Sequence, residues 1–209
     1  MKSTGVMLTL EGADPIGADL DMLEIFYALG IRAIGLTWDH SNAFADGRLA
    51  TTVPGGLSPL GVTLVKRMDE LGILIDLAHL SPGGMDQILA ATKNPSILSH
   101  VRPIGGYVDE SHLQAIAQKD GVIGVIFYRM RSLEEVIENI EYLTALVGEE
   151  HVGLGSDLWG VANSPNDIPD IGFLPRLTRA LEKRGWSTSA LNLLMGGNWY
   201  RVISEVVGP

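Results

Sequence analysis

The sequence contains no cysteine. A disulfide framework and a thiol nucleophile are thereby both excluded. It has no run of about 18 apolar residues, so no helix is expected to span a membrane. Positive charge is scarce: 15 Lys and Arg stand against 25 Asp and Glu, a net charge of -10. Phosphate backbones and anionic lipid surfaces need basic patches, so nucleic acid and membrane are not expected partners. No Gly-x-Gly-x-x-Gly or Walker-type loop follows an apolar run, which removes the usual nucleotide-binding fingerprints. The segment Met1-Lys2-Ser3-Thr4-Gly5 lacks the apolar core of a secretory leader, and a cytoplasmic address is the simplest expectation. No Ser/Pro/Gly-rich linker or charge block divides the chain, so residues 1–209 are expected to form a single domain.

What is present is apolar and rich in turns. Of 209 residues, 46% are hydrophobic and 25 are Gly, enough to bury one sizeable core with many tight connections. Short apolar runs alternate with amphipathic stretches. Strands are expected at 6–10, 31–37, 73–78, 96–99, 121–127 and 152–156. Helices are expected at 19–29, 60–71, 82–92, from an Asp109 cap to 119, from the box Ser132-Leu133-Glu134-Glu135 to 147, at 173–183, from a Ser187 cap, and at 198–207. This alternation predicts a parallel α/β fold. Six strands fall about two βα units short of an eight-stranded β/α barrel of the TIM, metal-dependent hydrolase type, which also needs about 250 residues. An incomplete barrel would expose strand edges and apolar surface, so a homo-oligomer is a further expectation.

The candidate chemistry lies at strand ends. Two runs end in histidine, Leu74-Ile75-Asp76-Leu77-Ala78-His79 and Ser96-Ile97-Leu98-Ser99-His100. Two end in a carboxylate, Val6-Met7-Leu8-Thr9-Leu10-Glu11 and Val152-Gly153-Leu154-Gly155-Ser156-Asp157. Barrel enzymes present functional groups at the carboxyl ends of their strands. Imidazole and carboxylate ligands around an open position make a metal-assisted hydrolase. Glu11, His79 and His100 could hold one metal; Asp157 could hold a second or take a proton from the attacking water. Asp76 could orient a ligand from behind or be satisfied by backbone. His151 precedes its strand and reads as structural, His112 lies in a surface helix and reads as solvated, and His40 stays ambiguous. The segment from Trp38 to Pro59 is long enough to form a lid or substrate wall.

In order along the chain, Leu10-Glu11-Gly12-Ala13, Gly35-Leu36-Thr37-Trp38 with Asn42 and Ala45-Asp46-Gly47, Ile75-Asp76-Leu77-Ala78-His79, Leu98-Ser99-His100, Gly121-Val122-Ile123-Gly124-Val125, Gly153-Leu154-Gly155-Ser156-Asp157 and Gly196-Gly197-Asn198 with Arg201 resemble the membrane (renal) dipeptidase family of zinc peptidases. The resemblance implies a β/α barrel with a two-zinc site that hydrolyses dipeptides, some with a C-terminal D-residue. It implies that Glu11 bridges the metals, that His79 and His100 complete one zinc, and that Asp157 acts as acid/base beside the other. Arg102 is the nearest candidate for binding the substrate carboxylate, and Asn42 is a second candidate contact.

Three departures stand out. The family's opening His-x-Asp pair, ligands of the other zinc, occurs nowhere in this sequence. Trp38 stands where a carbonyl-polarising His is common, with His40 two residues on. The loop after Ser99-His100 is short. Two functional expectations follow: a zinc dipeptidase with one or two metals, or an N-terminally shortened, non-catalytic relative that binds one metal or none.

Overall fold

The computed structural model describes residues 5–50, 55–160 and 164–208. Parts of the two long loops, 51–54 and 161–163, lie outside the described residues. The chain clusters into two compact units, residues 1–97 with 203–209, and residues 98–202.

In the first unit three parallel strands follow chain order. β1 (Leu8–Glu11) pairs with β2 (Ile31–Gly35), and β2 pairs with β3 (Leu74–Asp76). The connecting helices are α1 (Met22–Ala28) and α2 (Pro59–Leu71), followed after β3 by α3 (Pro82–Ala91). The helix starts follow from the sequence. Ser58 and Ser81 stand at the N-caps, each hydroxyl accepts the amide three residues on (Gly61 and Gly84), and each is followed by Pro at the first helical position. Gly72 closes α2 at φ 70°, where an L side chain is strained. Leu23, Ile34, Leu64, Met68, Leu74 and Leu77 form the unit's core, none of them measurably exposed. β1 differs: Leu8 is 52% exposed and Val6, just before it, 84%. The edge expected from the short strand count is thus visible here.

β4 (Ile97–Val101) starts at the end of the first unit, where Ile97 is paired with Asp76. The second unit holds the rest of β4, then α4 (Glu110–Gln118), β5 (Val122–Val125), α5 (Leu133–Val147), β6 (Val152–Leu154), α6 (Leu174–Lys183) and α7 (Thr188–Asn192). β5 and β6 are parallel. All four residues of β5 are buried, as expected of a strand covered on both faces. α8 (Asn198–Val206) follows a kink at Gly196, whose φ is 153°.

Six parallel strands alternate with helices among the described residues, the expected α/β class and strand count. Some local details differ. Ser132 accepts the Glu135 amide, but the Glu135 carboxylate reaches back to the amide of Arg131, one residue beyond the reciprocal partner of a capping box. Asp109 occupies the N-cap of α4 without a side-chain cap bond. His112 is half-buried with its Nε2 shielded from solvent, not solvated, because it faces inward on α4. No helix among the described residues is long and apolar enough to cross a membrane.

Candidate metal site and its support

Parallel pairing aligns the strand ends in the first unit. Glu11, the last residue of β1, is paired with Gly35, and Gly35 with Asp76. The row Glu11–Gly35–Asp76 crosses two inter-strand steps, about 9.5 Å, with no side chain on its middle strand. Beyond Asp76 the chain turns, and His79 adopts φ 63°. Left-handed backbone is costly for a side-chain-bearing residue and persists where surrounding bonds enforce it. Here the His79 carbonyl accepts from the Arg48 amide at 2.8 Å and from the Thr37 hydroxyl at 3.2 Å. The turn brings the imidazole to Glu11, with His79 Nε2 3.1 Å from Glu11 Oε1.

The other ring nitrogen is equally well placed. His79 Nδ1 lies 2.6 Å from Asp39 Oδ1. Asp39 is 7% exposed, and Arg48 grips it with two bonds of 2.6 Å from Nε and NH2. Burial alone would push the Asp39 carboxyl up, but the hydrogen bonds and charges of Arg48 and His79 outweigh it and hold it below the ordinary carboxylate value. Burial likewise disfavours the His79 imidazolium, yet Glu11 and Asp39 together raise its pKa above the usual value. Trp38 stands beside the ring, its centroid 5.6 Å from that of His79.

Two ligand atoms on one zinc, each bonded at about 2.0–2.2 Å with tetrahedral angles, stand about 3.4 Å apart. The 3.1 Å between Glu11 Oε1 and His79 Nε2 fits that spacing. An imidazole with Nδ1 on a carboxylate and Nε2 facing a second carboxylate is the usual setting of a metal-binding histidine. The residues present therefore fit a divalent metal.

The remaining candidates divide between the units. Asp76 Oδ1 accepts the Ala78 amide at 3.0 Å, the backbone role foreseen as its alternative. Asn42 is committed inside its own loop. Its Nδ2 donates to Leu36 O at 2.7 Å and Asp14 Oδ2 at 3.0 Å, and its Oδ1 accepts from the amides of Phe44 and Ala45. Those four bonds use its two hydrogens and both acceptor positions. In the second unit His100 lies within β4, with Nδ1 2.9 Å from the Ser99 hydroxyl. Asp157 lies just past β6 at φ 54°, a second left-handed residue at a strand's carboxyl end. A Cβ at Gly160 would stand 2.0 Å from Asp157 Oδ1, so the carboxylate lies across a glycine that leaves it room. Arg102 donates to Glu135 Oε1 at 2.6 Å and to Ile104 O at 3.1 Å. His151 Nδ1 lies 3.0 Å from Gly121 O, consistent with a structural residue, and His40 is exposed.

Sequence reasoning missed Asp39 and Arg48. They lie far along the chain from His79, inside a loop whose Gly, Asn and Asp content signals only turns. The one available signal was a carboxylate just past the end of β2, on the face where functional groups gather.

Fold and site together define a parallel α/β chain with an imidazole–carboxylate pair at its strand ends, the place where β/α folds carry their functional groups. The comparison with known families is specific: the model of the membrane dipeptidase family (peptidase family M19) matches residues 2–207, and the chain belongs to that family. Dipeptidase aclJ of Aspergillus oryzae is 32% identical over 96% of this chain and 51% of its own length. An uncharacterized protein encoded in the pqqA 5' region of Klebsiella pneumoniae is 30% identical, over 98% of this chain and 83% of its own length. Among solved structures, a metallopeptidase from Rhodobacter sphaeroides liganded with a phosphinate mimic of the dipeptide L-Ala-D-Ala superposes with a TM-score of 0.88. It is 29% identical, covering 96% of this chain and 63% of that one. The chain spans about half the length of the curated dipeptidases it matches.

Proposed function

We propose that the protein is a metal-dependent dipeptidase with zinc as its metal. The observation that carries the proposal is the Glu11–His79 pair, 3.1 Å apart at strand ends, with Asp39 behind the ring. Family membership supports the reaction class, and the phosphinate-bound relative supports dipeptides, including those with a C-terminal D-residue, as the substrate class. One family match covers both compact units, which supports reading residues 1–209 as one domain.

In this reading Glu11 and His79 would hold a divalent ion, with His100 as a further candidate ligand, and the ion would supply polarisation of the scissile carbonyl and a more acidic water. Asp157, the carboxylate past β6, accepts the proton of the attacking water and returns it to the leaving amine; it is the proposed catalytic acid/base and a candidate ligand for a second metal. Arg102 receives the substrate carboxylate through the terminal nitrogen not committed to Glu135. Asn42 acts on substrate through the loop it folds. Trp38, 55% exposed beside His79, supplies an apolar wall. The exposed edge at Val6 and Leu8 is the proposed surface for a second copy.

A second reading has one specific observation in its favour. No His-x-Asp pair occurs in the sequence, which favours a non-catalytic relative that binds one metal or none. Hydrolysis of L-Ala-D-Ala and L-Ala-L-Ala by zinc-loaded protein tests the two. Turnover that disappears in His79→Ala supports the dipeptidase. A zinc-loaded protein without turnover on either peptide supports the second reading.

A further inference from the structure

The Arg48–Asp39–His79 chain joins two loops that strand pairing leaves independent. Asp39 lies on the loop after β2 and His79 on the turn after β3, so packing of the strands alone does not bring them together. The connection is made twice. The backbone amide of Arg48 donates to the His79 carbonyl at 2.8 Å, and Asp39 receives His79 Nδ1 at 2.6 Å. The loop is closed behind them: the Leu49 amide donates to the Asp39 carbonyl at 2.9 Å, and Gly47 forms an antiparallel bridge with Leu80. A Cβ at Gly47 would stand 2.5 Å from the Asp39 carbonyl oxygen, so the close approach needs a glycine there.

The electrostatics fix the direction of the His79 hydrogen bond. Asp39 is an ionised carboxylate held by two guanidinium nitrogens, and an ionised carboxylate only accepts. Glu11 faces the other nitrogen, but at 3.1 Å and half exposed, against 2.6 Å for the buried, Arg48-locked Asp39; the neutral ring therefore keeps its proton on Nδ1 and turns the Nε2 lone pair to the space beside Glu11. We propose that Asp39, locked by Arg48, is a positioning residue that fixes His79 in the Nδ1–H tautomer and thereby prepares Nε2 to bind a metal. The loop from Trp38 to Arg48 is then a clamp on a ligand as well as a wall. This inference rests on the metal reading of His79 only for its consequence; the tautomer is a property of the chain without metal.

Asp39→Leu separates the cases because it keeps the bulk and removes the acceptor. Asp39 Oδ1 takes both Arg48 Nε and His79 Nδ1, so an amide oxygen in its place could still hold the Nδ1–H, whereas a leucine cannot. Glu11, 3.1 Å from Nε2, then draws the proton to that nitrogen, and the Nε2–H ring has no lone pair there for a metal. The experiment is 1H–15N correlation of the histidine side chains in the full-length, metal-free protein, at a pH where His79 is neutral. The same samples are then titrated with zinc against a chelator. Expected are an Nδ1–H signature for His79 in the native protein, an Nε2–H signature in Asp39→Leu, and zinc affinity lower by about 10- to 100-fold. Arg48→Met, which leaves the carboxylate but frees it to move, is expected to keep the tautomer and lose less affinity.

A native Nε2–H signature, or an Nδ1–H signature that persists in Asp39→Leu, overturns the inference whatever the zinc titration shows. If the tautomer switches as expected but neither native protein nor variant binds zinc, the positioning role stands and the metal reading fails. If Asp39→Leu does not fold, the native signature alone decides, since Nε2–H there is incompatible with the clamp.

Discussion

The packing around His100 gives the sharpest prediction about the fold. A Cβ built on Gly155 would stand 2.0 Å from the Ser99 carbonyl oxygen and 3.0 Å from both the Cα and carbonyl carbon of Gly124. One on Gly124 would likewise stand 2.0 Å from Ser99 O. β4, β5 and the end of β6 thus converge on a single carbonyl, and the atoms that would have to give way are backbone rather than flexible side-chain ends. Gly155→Ala must move the chain by about 1 Å to restore an ordinary contact. Inserting a methyl group into a packed interior costs about 1–3 kcal/mol, and with backbone on both sides the upper value applies. At about 2–4 °C per kcal/mol for a chain of this size, the melting temperature should fall by about 6–12 °C. Gly5→Ala is the control, because a Cβ there meets nothing within 4 Å. Thermal unfolding followed by circular dichroism measures both. A Gly155→Ala protein melting within about 2 °C of the native one would refute the reasoning. Since Ser99 precedes His100, the same shift should also weaken zinc binding if His100 is a ligand.

Other perturbations reach different parts of the account. Glu135 accepts from the Arg131 amide and lies against Arg102 and Arg131, and these interactions hold its carboxyl below the usual value despite burial. Its stabilisation is therefore complete above its unfolded pKa, about 4.3, and is lost as pH falls through the lower folded value. Glu135→Gln should destabilise the protein by about 1–2 kcal/mol at pH 7, and the gap from native should close on acidification below about pH 5. A gap that widens in acid contradicts this. Asn42→Asp keeps the two acceptor bonds but sets a carboxylate oxygen against Leu36 O and Asp14, where the amide NH2 now donates. A loss of about 2–3 kcal/mol in urea unfolding is expected, and an unchanged midpoint would show that the loop does not depend on Asn42.

Much of this fold was legible because local signals agreed. Ser58-Pro59 and Ser81-Pro82 announce helix starts, Gly72 announces a stop, and Val122–Val125 reads as a buried parallel strand. The ends of the strands were harder to place. His79 and Asp157 lie beyond the hydrogen-bonded strands, in left-handed turns that periodicity does not reveal. Glu11 and His79 were recognisable as a pair because each ends an apolar run and parallel strands bring such ends to one side. Asp39 was not, since its meaning comes from a tertiary contact with His79 across 40 residues of chain. Asp76, closer in sequence, could be read equally as a ligand's support or as a group satisfied by backbone, and its Oδ1 accepts the Ala78 amide. Asn42 looked like a substrate contact because it is polar and on the right loop. Its four bonds show that a polar residue there can be needed for the loop itself.

The central claim is that His79 and Glu11 belong to a metal site. Metal content of native, His79→Ala and His100→Ala proteins purified with zinc tests it most directly. At least one tightly held zinc per native chain is expected, and its loss in both variants, with a second zinc per chain if Asp157 and further groups complete a paired site. Full retention of zinc in both variants, or a native protein that holds none, would contradict it.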